Sequence, residues 1–219
     1  MLSGWPGPAG EEYAVSLDRG RNHRLLVLPA LFDEANKLRH FTLGVMRALD
    51  DAGADCFLPD LPGCNESLAP LGTQDVESWR HAASGAARHF AATHVLAIRG
   101  GALLAPPDLA GWRYGATSGR SLLATLLRAR VLAAREAGAI ETRERLLAIG
   151  RAEGLSLGGY NLSASMIAQL EKASSPSGRL KDIVPSDLDA QPLWLRAEPE
   201  HDEAQAEALA QRIDGDLQS

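Results

Sequence analysis

A chain of 219 residues is long enough for one domain with a proper core. Its 45% apolar and 23% charged residues are ordinary for a soluble globular protein, while a net charge of −6 with scattered arginines argues against nucleic acid as a partner. No apolar run approaches the roughly 20 residues of a membrane span, and the start, Met-Leu-Ser-Gly-Trp-Pro, lacks the basic-then-apolar order of a secretory signal.

The first half alternates strand and helix. Tyr13 to Leu17 alternates in polarity and predicts an edge strand, and Arg24-Leu-Leu-Val-Leu-Pro29 predicts a strand buried on both faces. A helix is expected to begin between Asp33 and Lys37, carry the stripe Phe41, Val45, Leu49, and end near Gly53. Ala54 to Pro59 reads as the next strand, and Asp60 to Ser67 as a turn-rich loop. Thr73 or Asp75 is placed to cap a helix running to about Ala91. Val95 to Ile98 is a further strand. Short connections between such elements imply a mostly parallel sheet covered on both sides.

The second half predicts helices over Ser118–Arg135, Glu141–Arg151 and Ser163–Lys172, with Ser163 as an N-cap. They read as an all-helical cap over residues 116–175, inserted after a core half spanning 1–115. Ala173 to Gln191 reads as a loop. Pro192 to Ala197 is expected to be one last strand and Asp202 to Arg212 one last helix, which makes 190–219 the closing part of the core. The expected class is α/β, a three-layer sandwich truncated at its C-terminal end. A sheet cut short in this way leaves an open edge that invites a homodimer.

The segment Thr93 to Ala105 carries the chemistry. A buried strand runs into Arg99-Gly-Gly-Ala-Leu-Leu-Ala105, which resembles the strand–turn–helix elbow G-x-S-x-G of α/β-hydrolases, with arginine at the nucleophile position. A guanidinium is a permanent cation and cannot attack a carbonyl. Three other pieces join it in order: Phe32-Asp-Glu-Ala-Asn-Lys-Leu-Arg39, then Asp60-Leu-Pro-Gly-Cys-Asn-Glu-Ser67, and later Gly119–Arg130 with Gly154–Leu162. Together they resemble the α/β-hydrolase-like family called exosortase A system-associated hydrolase 2, over about residues 24–197. The resemblance implies a bacterial protein acting beside an exopolysaccharide export and protein-sorting system. Two departures stand out. Pro29-Ala30 replaces the family's His-Pro, and proline has no N–H for an oxyanion hole, which leaves Leu31 or Phe32 to donate. Pro106-Pro107 also stops any helix soon after the elbow.

A serine triad is hard to assemble. His201 is the sole histidine downstream of the elbow, and it reads first as a surface residue at a helix start, with the triad base as the lesser alternative. Glu198, Glu200 or Asp202 would fill an acid position. Ser118 and Ser121 flank a helix start, where capping is their ordinary role and catalysis the alternative. Ser67 is a loop serine, and Cys64 is a thiol nucleophile only if its pKa is lowered. Cys56 and Cys64 read as free thiols, consistent with a cytoplasmic protein. No metal or cofactor motif is found, so none is expected.

Arg99 has two readings of its own. It can bridge to Asp33 or Glu34 inside the molecule. Alternatively, beside Gly100, it can bind an anion with Asn36, Lys37 and Arg39 as further donors and Asp60 on the adjoining strand end. Three functions stay open: a degenerate hydrolase that binds a small anionic or acyl ligand or a protein of the export system, a serine or thiol ester hydrolase with a non-standard nucleophile, and a purely structural partner.

Overall fold

The computed structural model describes residues 1–8, 10–176, 179–196 and 202–218. A seven-stranded sheet forms its centre. In chain order come β1 (Leu2–Gly7), β2 (Gly10–Leu17), β3 (Arg24–Leu28), α1 (Asp33–Asp51), β4 (Asp55–Pro59), α2 (Val76–His89), β5 (His94–Ile98) and β6 (Ala110–Tyr114). The cap follows, with α3 (Gly119–Glu136), α4 (Arg143–Glu153), the hairpin β7 (Leu155–Leu157) and β8 (Tyr160–Leu162), and α5 (Ala164–Leu170). The chain returns to the sheet as β9 (Leu180–Ile183) and ends on α6 (Glu203–Leu217).

The order across the sheet is β1-β2-β4-β3-β5-β6-β9. β4, β3, β5, β6 and β9 run parallel, whereas β1 and β2 join antiparallel at one side. Alternate side chains of each inner strand feed two cores. Leu26, Leu28, Phe57, Val95 and Ala97 face α2 and the cap. Leu25, Val27, Cys56, Leu96 and Ile98 face α1 and α6. This period of two, with apolar residues at both phases, is why the short runs read as continuous hydrophobic blocks. The winding reverses between β3 and β5: α1 leads to β4 on one side of β3, and α2 leads to β5 on the other. That reversal opens a crevice at the C-terminal strand ends, where ligands of open α/β sheets bind.

The caps behave as the side chains predict. Asp75 accepts the Ser78 N–H at 2.8 Å in a capping box at the start of α2, Ser118 caps α3 and Ser163 caps α5.

Several expectations are corrected. Tyr13–Leu17 is not an edge, because β1 covers it; the Gly- and Pro-rich start hides a strand whose Pro6 is tolerated at a sheet margin. β6 was unforeseen, since it is short and carries Gly111 and Arg113. The closing strand is β9, inside the segment read as loop, while Leu193–Leu195 is a single 3-10 turn entered from Pro192. Leu-Trp-Leu imitates a strand, yet Leu193 is buried and Leu195 is 76% exposed as the three side chains splay from the turn. β9 is polar at Lys181 and Asp182 because it is an edge. The cap is not all helical: Gly158 and Gly159, at φ 57° and 86°, form the tight turn of the β7–β8 hairpin.

Candidate functional site

β5 delivers Arg99 to the crest of the sheet at φ 52°, a left-handed conformation uncommon for a side chain with a Cβ. A 3-10 turn, Arg99–Leu104, follows and stops before the two prolines. Gly101 lies so close to β3 that a Cβ there would stand 2.5 Å from the carbonyl oxygens of Leu28 and Pro29. Gly100 is covered by Leu122 of α3 and by Leu31. The sharp turn therefore persists as backbone, pressed against the neighbouring strand.

The Arg99 side chain is engaged inside the molecule. Nε and Nη2 donate to the two carboxylate oxygens of Glu34 at 3.0 and 2.9 Å. Nη1 donates to the carbonyl of Gly115, and the guanidinium lies 4.1 Å from the ring of Trp194. Gly115, at φ 55°, leaves room for that ring. Asp33 turns away to Lys37, 3.0 Å off on the same helix face. Of the two carboxylates that flank the start of α1, Glu34 takes the arginine.

The other candidates are spread out. Ser118 Oγ accepts the Ser121 N–H and donates to Ser121 Oγ at 3.0 Å, both at the exposed start of α3. Ser67 Oγ accepts from the N–H groups of Gly63 and Ala69 and donates to Glu12 at 2.9 Å, which pins the loop. Burial pushes the Cys64 thiol up to about 12, so it stays protonated at neutral pH. His201 lies outside the described residues, as do Glu198 and Glu200; Asp202 caps α6.

A cavity of about 230 Å³ opens beside the elbow, over the C-terminal ends of β3 and β4. Leu31, Leu58, Leu61 and the aromatic rings of Phe32, Trp79 and Tyr160 make its apolar wall. Tyr160 opens β8 of the cap hairpin and meets Phe32 edge-on at 5.5 Å, so the cap closes one side. Asn36 and Arg39 of α1 and Asn65 of the following loop supply polar groups. Asn65 Nδ2 donates to Asp60 Oδ1 at 2.7 Å, and Arg39 Nη1 stands 4.0 Å from the same oxygen. Burial raises the Asp60 carboxyl above its ordinary value, against the Asn65 and Arg39 contacts that lower it. Folding thus favours the protonated form. That contribution is whole below the ordinary carboxylate pKa and is lost as pH rises through the raised value.

Of the residues expected to bind, only Asn36 and Arg39 line this cavity; Asp60 sits behind them as a partner of Asn65 and Arg39, and Arg99, Gly100, Asp33, Glu34 and Lys37 are not among the lining residues. Tyr160, Trp79 and Asn65 also line the cavity, and no local signal in the sequence marks them. Tyr160 and Asn65 lie inside the motifs Gly154–Leu162 and Asp60–Ser67, but nothing local says that a cap hairpin folds back over β3.

No family model and no curated protein sequence matches this chain. Solved structures do. The α/β hydrolase domain-containing protein 10 from mouse superposes with a TM-score of 0.60 at 13% identity, over 100% of this chain and 98% of that one. The α/β hydrolase GrgF from Penicillium sp. sh18 gives 0.50 at 12% identity, over 78% and 72%. The chain has the α/β-hydrolase fold. At such identities the likeness speaks for architecture alone, and chemistry must be argued from the site.

Proposed function

We propose that this α/β-hydrolase-fold protein binds a short anion with an apolar tail, of the acyl or carboxylate class, in the cavity over β3 and β4, and lacks serine-hydrolase chemistry at the elbow. The observation that carries the reading is the fate of Arg99, the residue at the elbow position by sequence resemblance: its cation is already forked to Glu34 and stacked on Trp194. The recognition role passes to Arg39, half-exposed at the cavity mouth with Asn36 and Asn65 near it. The cavity is smaller than the roughly 300 Å³ at which drug-sized sites begin, and its wall is mainly apolar. A guanidinium at one end suits a carboxylate or phosphate head. Resemblance of the four motifs supports a setting in the exosortase-linked export pathway; a bacterial deletion strain that exports and sorts normally would remove that part.

Hexanesulfonate, which stays ionised at all relevant pH, is expected to raise Tm in proportion to the logarithm of its concentration. Arg39→Ala should weaken binding by about 10–100-fold, the worth of one charge-assisted hydrogen bond. An unchanged affinity in a folded Arg39→Ala protein would discard the assignment. Binding should also strengthen as pH falls and Asp60 takes up its proton, because the negative charge 4.0 Å from Arg39 is then removed; Asp60→Asn should flatten that dependence. A fluorophosphonate probe should leave the protein unlabelled. Stoichiometric labelling lost in Ser118→Ala or Ser121→Ala would establish the alternative, an active ester hydrolase.

A further inference from the structure

The far half of α3 packs little: Val131 alone among its apolar side chains leans on the core. Its buried side chains stop at Leu127, and from Arg128 through the turn to Ile140 every residue is exposed or only partly covered. A helical extension whose one inward contact is the partly buried Val131 gains little stability in water. Arg128, Leu132 and Arg135 nevertheless share one outward stripe at i, i+4 and i+7. Leu132 is 58% exposed, and Ile140 in the next turn is 89% exposed. The turn is held in place: Arg130 forks onto Glu141 at 2.7 and 2.9 Å, and the Ala139 N–H donates to Ala134 O at 2.8 Å. Arg128 and Arg135 form no ion pair among the described residues, so their charges point outward unspent.

The charge distribution gives this projection a direction. Between Arg120 and Lys172 the chain holds eight basic and five acidic residues, whereas the remainder holds fourteen and twenty-three. The cap is a cationic end on an acidic body. An anionic sheet would repel the body and admit only the cap end. Separate apolar side chains set among Arg128 and Arg135, with Glu136 as the single acid from Arg128 to Ile140, suit headgroups and the acyl boundary beneath them.

We propose that the projecting half of α3 and the turn after it dock the protein, cap first, on an anionic lipid bilayer. This stands apart from ligand binding in the cavity. Co-sedimentation with phosphatidylcholine vesicles, plain or mixed with phosphatidylglycerol, tests it. Binding is expected only to the anionic vesicles, and it should fall steeply between about 0.1 M and about 1 M salt as screening shortens. Arg128→Glu/Arg135→Glu should weaken it by more than about tenfold. Leu132→Ser/Ile140→Ser should weaken it while leaving its salt dependence intact. All four side chains are exposed, so circular dichroism and Tm should match the parent. The proposal is overturned by no sedimentation with anionic vesicles at low salt, by equal sedimentation with plain phosphatidylcholine, or by parental binding in either double variant. Should the charge-reversal variant misfold, the serine variant decides alone.

Discussion

Arg99→Ala is expected to cost roughly 2–4 kcal/mol, or about 5–15 °C in Tm for a domain of this size. The arginine and Glu34 keep only 12% and 18% of their side chains exposed. Removing the cation strands a largely buried carboxylate and takes away the donor to the Gly115 carbonyl and the partner of Trp194. Breaking one half of such a pair costs more than the pair contributes, because the remaining charge must be hydrated or left unpaired. Arg99→Met/Glu34→Met should therefore recover much of the loss. Arg99→Lys should stay well below the parent, since an ammonium cannot fork to two oxygens. A thermal scan in which Arg99→Ala melts with the parent would mean that the bridge has no structural role, and the case for a sealed elbow would go with it. Arg99→Ser restores a hydroxyl but no base, so ester hydrolysis should stay at background.

A larger loss, about 3–5 kcal/mol, is expected for Asp55→Ala. This fully buried carboxylate gathers the loop between β2 and β3 at the end of the sheet opposite the cavity. It accepts the N–H groups of Arg19 and Arg21 at 3.0 and 2.8 Å and Nη1 of Arg24 at 2.9 Å. Asp50 takes the side chains of Arg19 and Arg21, both at 2.6 Å. Arg24 continues to Asp18 and lies 4.7 Å over the ring of Phe57. Deleting Asp55 leaves two backbone donors without their acceptor and takes one of the two carboxylates from Arg24, which keeps Asp18. Urea unfolding should show a lower midpoint with an unchanged slope. Hexanesulfonate binding by the folded fraction should stay as it is, because the cavity is at the other end. An Asp55→Ala midpoint equal to the parent's would contradict the assignment. The same network predicts an acid limb. The hydrogen bond from Arg24 holds Asp18 down at about 2, against an ordinary 3.8. Its contribution is present above 3.8 and is lost as pH falls towards 2. Asp18→Asn should remove that part of the slope, with a small amplitude because Asp18 is largely solvated.

The elements that could be read from the chain are those whose signal is local. β3, β4 and β5 are apolar at both phases, and α1, α2 and α3 carry a periodic stripe closed by a capping residue. β1, β6 and β9 could not be read in this way. Each is four to six residues long and interrupted by Pro6, Gly111 or the pair Lys181–Asp182, and each exists because a neighbouring strand supplies its hydrogen bonds. Trp194 misled for the complementary reason: three alternating side chains fit a turn as well as a strand until their surroundings are known.

The amino-acid order alone was enough to read that the sheet is mostly parallel, that a cap interrupts it, and that a permanent cation, Arg99, follows the strand β5. These follow from periodicity, turn chemistry and the fixed charge of a guanidinium. Only tertiary structure decided that Glu34 rather than Asp33 answers Arg99, that Tyr160 reaches back over β3, and that Arg39 faces the open cavity. Asp33 and Glu34 are adjacent in the chain but point a third of a helical turn apart. Which of them meets the sheet depends on how α1 is laid upon it, and no stretch of sequence specifies that packing by itself.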